Sequence, residues 1–156
     1  YAGLMIKDGE PKLIEYNIRF GDPECQVLMM RLKSDLLKLI MSTIKGNLKD
    51  EKIEWIKEPC ITVVAASKGY PESFEKNIQI KNIEAFEQNE KLQIFHAGTK
   101  RAKNGELLSV GGRVLNSTVV SKDLKSAKNI AIDVLDKLDW ENKYFRKDIG
   151  NKAINK

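Results

Sequence analysis

The chain has 156 residues, of which 42% are hydrophobic and 31% charged, and its 27 basic against 22 acidic side chains leave a net charge of +5. That is enough apolar material for one sizeable core or two small ones, and too much for a disordered chain. No run of about 18 apolar residues could cross a membrane, and Tyr1-Ala2-Gly3-Leu4-Met5-Ile6 lacks the basic leader and small-residue cleavage site of a signal peptide, so a cytoplasmic protein with no membrane partner is expected.

Residues 1–6 and 11–20 read as two strands joined by Lys7-Asp8-Gly9-Glu10, because Asp-Gly between apolar runs favours a tight hairpin. Tyr1 is not methionine and already lies inside a strand-like run, which predicts that the chain is part of something longer. In the second strand Ile14, Tyr16, Ile18 and Phe20 alternate with Glu15, Asn17 and Arg19, which places the two sets on opposite faces. Gly21-Asp22-Pro23-Glu24 then reads as a helix start, with Asp22 as cap and Pro23 at the first helical position. One helix of some 20 residues is predicted to follow, with Leu28, Leu32, Leu36 and Leu39 on its apolar stripe and Gly46 as its stop.

Residues 46–58 are polar and charge-rich, with Asn47, Asp50, Glu51, Lys52 and Lys57, and within them 51–57 is the expected linker between a segment 1–50 and a domain 58–156. Strands are predicted at 61–66, 92–96 and 113–120, punctuated by Lys68-Gly69-Tyr70-Pro71, Lys103-Asn104-Gly105-Glu106 and Gly111-Gly112, and a second amphipathic helix at about 122–138. Phe145 and Ile149 of the tail are expected to pack back on the sheet. The resulting class is α+β: a hairpin and helix in front of a small mixed sheet covered by a helix.

Residues 1–56 hold nine basic and nine acidic side chains, while residues 57–156 hold 18 and 13, so the whole surplus lies in the second part. It contains no long basic block and none of the basic–aromatic interleaving of RNA-binding sheets, which argues against a nucleic-acid partner and for a solvated basic face. Cys25 and Cys60 belong to no metal-ligand pattern and read as plain buried or half-buried thiols. Trp55 and Trp140 read as packing residues.

Glu15 and Asn17, two apart on one strand face, can bring a carboxylate and an amide oxygen to one ion. Magnesium accepts such a pair when a nucleotide and water complete its octahedron. Arg19, further along the same face, could then neutralise a phosphoryl group. The same residues also suit an ordinary solvated strand face, and spacing alone does not separate the two. Asp22 suits a substrate contact as well as a cap. His96 suits a strand end or a place beside substrate, and Gly111-Gly112-Arg113 suits either a phosphate cradle or a tight turn.

Ile14-Glu15-Tyr16-Asn17-Ile18-Arg19-Phe20-Gly21-Asp22-Pro23-Glu24 resembles the Glu-x-Asn-x-Arg-Phe-Gly-Asp-Pro-Glu segment of the phosphoribosylamine-glycine ligases, a family of the ATP-grasp superfamily. Lys68-Gly69-Tyr70-Pro71, Phe95-His96-Ala97-Gly98-Thr99 and Gly111-Gly112-Arg113-Val114-Leu115 are similar to that family's C-terminal domain in the same order. The resemblance covers nearly the whole chain and implies the end of an ATP-grasp fold followed by a C-terminal domain. It implies ligation of glycine to phosphoribosylamine with ATP and Mg2+ or Mn2+, the upstream part of the same enzyme being required. By that resemblance Glu15 and Asn17 are metal ligands, Arg19 is catalytic, and Met5 or Leu4 packs on adenine. The resemblance also favours Gly111, Gly112 and Arg113 as substrate contacts, and Asp22 is expected as a substrate contact or a cap. Many ATP-grasp enzymes carry an acidic ligand where this chain has Gly3. The rival reading is a non-catalytic basic binding module.

Overall fold

The computed structural model describes residues 1–155. Strands β1 (Ala2–Lys7) and β2 (Glu10–Tyr16) form a two-stranded hairpin, followed by helices α1 (Glu24–Arg31) and α2 (Leu36–Ile44). Then come β3 (Cys60–Ser67), β4 (Ile78–Ile80), β5 (Leu92–His96), β6 (Thr99–Arg101), β7 (Leu107–Ser109) and β8 (Arg113–Val120). Helix α3 (Leu124–Lys137), strand β9 (Lys143–Phe145) and the short α4 (Asn151–Ile154) complete the chain. A four-stranded sheet has the order β5-β8-β3-β9, and a three-stranded sheet the order β4-β7-β6.

The α+β class holds, but the sheet expected to be mixed is antiparallel in every pairing. Strand β8 enters between β3 and β5 and runs against both, so these two parallel strands never meet. On β3, Ile61, Val63 and Ala65 are buried opposite Val119, Ser117 and Leu115 of β8. Helix α3 lays Ala127, Ala131, Val134 and Leu135 on this face, closing the main core together with Leu138 and Trp140. Asp123 starts α3, its carboxylate accepting from the Ser126 N–H at 2.7 Å. The other face of β3 and β8 receives α1. Phe145 and Ile149 pack against the core, as their apolar character predicts.

The single helix expected after Pro23 is two. The helical stripe runs through the break, but Leu32–Asp35 take partners that a helix cannot offer. Arg31 O accepts from Ile56 N–H at 2.9 Å and Lys33 N–H donates to Glu54 O at 2.9 Å, so the expected linker pairs with the break. Ser34 Oγ accepts from Glu54 N–H, and Asp35 caps α2 by accepting from Lys38 N–H at 3.0 Å. Short polar side chains of this kind compete with helical bonding and favour caps. At the other end of α2, Gly46 adopts φ +74° and donates to Thr43 O, while Asn47 donates to Ser42 O, the paired bonds of a Schellman stop. Pro23 occupies the cap position of α1 rather than its first turn, and no side chain caps that helix. The strand expected over 11–20 ends at Tyr16: Asn17 N–H still donates to Tyr1 O, but residues 18–20 find no backbone partner among the described residues to continue a ladder.

Among the described residues no helix is long and apolar enough to cross a membrane.

Candidate active site

Asp8 and Gly9 both have positive φ, 54° and 83°, and Lys7 pairs with Glu10, which is the two-residue turn that Asp-Gly favours. Counting back from that turn without a slip would set Glu15 opposite Ala2. An irregularity between Gly3 and Leu4 shifts the register by one and sets Glu15 opposite Gly3 and Tyr16 opposite Ala2. Asn17 follows opposite Tyr1, its N–H donating to Tyr1 O at 2.9 Å. The Glu15 side chain lies across the space above Gly3, where an added Cβ would come within 3.2 Å of Glu15 Cγ. There the Tyr1 hydroxyl donates to Glu15 Oε1 at 3.1 Å. That bond, with the negative charges of Glu15 and Glu24 nearby, raises the Tyr1 phenol above its usual pKa, while Arg19 opposes the shift.

Asn17 is half-buried, and its Nδ2 is fully covered without a hydrogen-bond partner. Arg19 is exposed and turns its guanidinium onto Phe20 O at 3.1 Å. Glu24 folds back over Gly21, where an added Cβ would sit 2.4 Å from Glu24 Cδ. Leu4 and Met5 are exposed on β1, at 50% and 58%.

Asp22, read as cap or substrate contact, does not cap. Its carboxylate meets Arg113 Nη2 at 3.0 Å, and its carbonyl accepts from Arg113 Nη1 at 3.3 Å. This contact ties the Glu15 segment to the double-glycine bend. At that bend Gly111 N–H donates to Gly98 O at 3.2 Å, Ser67 N–H donates to Gly112 O, and Ser67 Oγ donates to Gly111 O. An added Cβ at Gly111 would approach Gly98 Cα to 2.9 Å, and one at Gly112 would enter the Tyr70 ring at 2.1 Å. The two glycines and Gly98 thus have a packing requirement of their own, and the Gly111 amide is already engaged. His96 Nδ1 lies 3.0 Å from Thr99 Oγ1, and partial burial, then the charge of Arg101, lowers the ring's pKa. A cavity of about 750 Å³ between α1 and the β5 edge is lined by residues such as Met30, Ile56, Leu92 and Val119 and contains none of these groups.

Among the described residues no three His, Cys, Asp or Glu converge as a metal cluster. A carboxylate and an amide oxygen without a third protein anion suit a hard cation whose other ligands are water and phosphate, while the covered Asn17 Nδ2, a donor, would need an acceptor and not a cation. Sequence reasoning missed the contact of Tyr1 with Glu15. Its one signal was nearness, since a hairpin turn at Asp8-Gly9 folds Tyr1 back onto the region of Asn17.

Comparison with known proteins identifies the family. The sequence profile described as phosphoribosylglycinamide synthetase, C domain, matches residues 60–152, and that described as phosphoribosylglycinamide synthetase, ATP-grasp (A) domain, matches residues 1–25. The chain belongs to the phosphoribosylglycinamide synthetase family. It is 51% identical over 154 residues to the phosphoribosylamine-glycine ligase of Agrobacterium fabrum, covering 99% of this chain and 36% of that protein. To the chloroplastic phosphoribosylamine-glycine ligase of Arabidopsis thaliana it is 48% identical over 157 residues, covering 99% of this chain and 30% of the relative. The crystal structure of phosphoribosylamine-glycine ligase from Thermotoga maritima superposes with a TM-score of 0.72 at 31% identity, over 94% of this chain and 35% of that one. The chain spans about a third of the length of these relatives.

Proposed function

We propose that this chain is the metal-holding end of a phosphoribosylamine-glycine ligase. The whole enzyme would join glycine to phosphoribosylamine, converting ATP to ADP and phosphate, and form glycinamide ribonucleotide through glycyl phosphate in purine biosynthesis. Residues 1–50 are assigned to the end of the ATP-grasp domain, 51–57 to a linker and 58–156 to a C-terminal domain. The observation that carries the reading is the Glu15–Asn17 edge, built opposite Tyr1 and Gly3 and joined to the C-terminal domain by Asp22 and Arg113.

In this reading Glu15 and Asn17 hold Mg2+ or Mn2+, and Arg19 faces the transferring phosphoryl group. Leu4 and Met5 meet the adenine of ATP. Asp22, Gly111, Gly112 and Arg113 face substrate, with the guanidinium of Arg113 offering a fork for a phosphate. The bound cation supplies neutralisation of phosphate charge while carboxylate is converted to a better electrophile. The protein's own contribution is positioning and fixed charge, with no side-chain nucleophile required. The exposed apolar residues Ile14, Tyr16, Ile18 and Phe20 fit contact with the upstream part of the same enzyme. Two free cysteines accord with a reducing compartment such as the cytoplasm.

The test is glycine- and phosphoribosylamine-dependent ADP release by the complete enzyme, in parallel with this polypeptide alone. The complete enzyme should turn over, the polypeptide alone should not, and Glu15→Gln in the complete enzyme should lower kcat by on the order of 10²-fold. Wild-type turnover by Glu15→Gln would refute the metal assignment. A basic binding module would instead show salt-dependent RNA binding at physiological ionic strength.

A further inference from the structure

We propose that Tyr1 is a positioning residue for the cation site: it holds the Glu15 carboxylate with its phenol and the Asn17 segment with its backbone. The inference rests on the reading of Glu15 and Asn17 as ligands and adds a group that reading does not include. In an antiparallel ladder, directly opposed residues share a face with their cross-strand partners. Tyr1 opposes Asn17, and Gly3 opposes Glu15, so all four lie on one face of the hairpin. Two of the four face positions, Glu15 and Asn17, carry oxygen donors. The third, Gly3, is empty, and the Glu15 side chain passes across it, as the 3.2 Å approach of a hypothetical Cβ to Glu15 Cγ demonstrates. The fourth is Tyr1, whose hydroxyl donates to Glu15 Oε1 at 3.1 Å.

Among the described residues Glu15 Oε2 has no protein partner, so one carboxylate oxygen is anchored and the other is open. An exposed Glu on a hairpin has several rotamers, and one of them must be selected before a cation can be held. A neighbour that selects it in advance strengthens binding without touching the ion. Outer-sphere donors to carboxylate ligands act in this way. Gly3 is the complementary half of the device, because a Cβ there would lie 3.2 Å from Glu15 Cγ and crowd the side chain that the phenol holds.

The test uses the complete enzyme and Mn2+ as the probe, with free Mn2+ read by electron paramagnetic resonance. Tyr1→Phe removes only the hydroxyl and should weaken Mn2+ binding about tenfold. It should raise the Mg2+ concentration for half-maximal rate by a similar factor, leaving kcat at saturating Mg2+ nearly unchanged. Gly3→Ala keeps the hydroxyl but displaces the carboxylate, and should weaken Mn2+ binding in the same direction. Circular dichroism confirms that each variant is folded. Parent-like Mn2+ affinity in folded Tyr1→Phe, with Glu15→Gln having lost it, overturns the role of Tyr1 alone. Parent-like affinity in Glu15→Gln overturns the ligand reading, and the role of Tyr1 with it.

Discussion

Asp22 and Arg113 stand 91 positions apart, yet they meet through a 3.0 Å ion pair and a 3.3 Å bond from the same guanidinium to the Asp22 carbonyl. Among the described residues this is the one ion pair joining residues 1–56 to residues 57–155. It links the segment that follows Glu15 to the strand that leaves the Gly111-Gly112 bend.

Both partners are substantially exposed, at 40% and 51%, so the pair should add little to stability. A double-mutant cycle with Asp22→Asn and Arg113→Gln is expected to give a coupling energy of about 0.2–1 kcal/mol, shrinking as salt rises. In the complete enzyme each single variant should raise the KM for phosphoribosylamine more than it lowers kcat. Unfolding in urea at low and high salt, with steady-state kinetics, checks both statements.

The crossing of Gly98 over Gly111 has no room for a methyl group. A Cβ at Gly98 would lie 2.6 Å from Gly111 Cα and 2.7 Å from Arg113 O, all backbone atoms that cannot swing aside. Gly98→Ala should therefore cost about 1–3 kcal/mol or more, in the range of overpacked cores. Gly105→Ala, at a turn with φ +90° and nothing within 4 Å, is the control for backbone strain without a clash. Urea midpoints of the two variants separate the effects.

His96 makes stability depend on pH. Its folded pKa is depressed, first by partial burial and then by Arg101, whereas the unfolded imidazole titrates near its ordinary value of about 6.5. As pH falls below that value the unfolded chain takes up the proton first. Stability therefore declines through this window and levels off once the folded ring is also protonated. Above it the residue contributes no slope. Denaturant midpoints between pH 5 and 8 should show this decline in the parent and a flatter profile in His96→Gln.

Burial pushes the Cys60 thiol up to about 11, against opposing help from Arg31. Because the thiolate is the reactive form, Cys60 should react slowly with a disulfide reagent at pH 8 in the native protein and rapidly once guanidinium unfolds it. Mass spectrometry of the labelled peptide reads this residue separately from Cys25.

Much of the fold was legible in the residues because local chemistry specifies it. Asp8-Gly9 has the backbone freedom of a tight turn, Gly46 accepts the left-handed stop, Asp123 caps α3, and the alternation of Ile61, Val63 and Ala65 marks a core strand. Each rests on neighbours a few positions away. The Glu15, Asn17 and Arg19 pattern was legible as a candidate from strand alternation, but the strand stops at Tyr16, so alternation does not place Asn17 and Arg19.

What pairs across long stretches of chain was decided only by the folded structure. The slip at Gly3 and Leu4 moves Glu15 from Ala2 to Gly3 and brings it under the Tyr1 phenol, and no local signal marks a one-residue bulge. The break at Leu32–Asp35 exists because residues 52–56 dock there, against a helical stripe that runs on unbroken in sequence. Asp22 has the chemistry of a cap and of an ion-pair partner alike. Arg113, delivered by the order β5-β8-β3-β9, determines which of the two it is. Short-range preferences act on φ, ψ and the next turn, whereas the choice among competing partners is made by the packing of the whole chain.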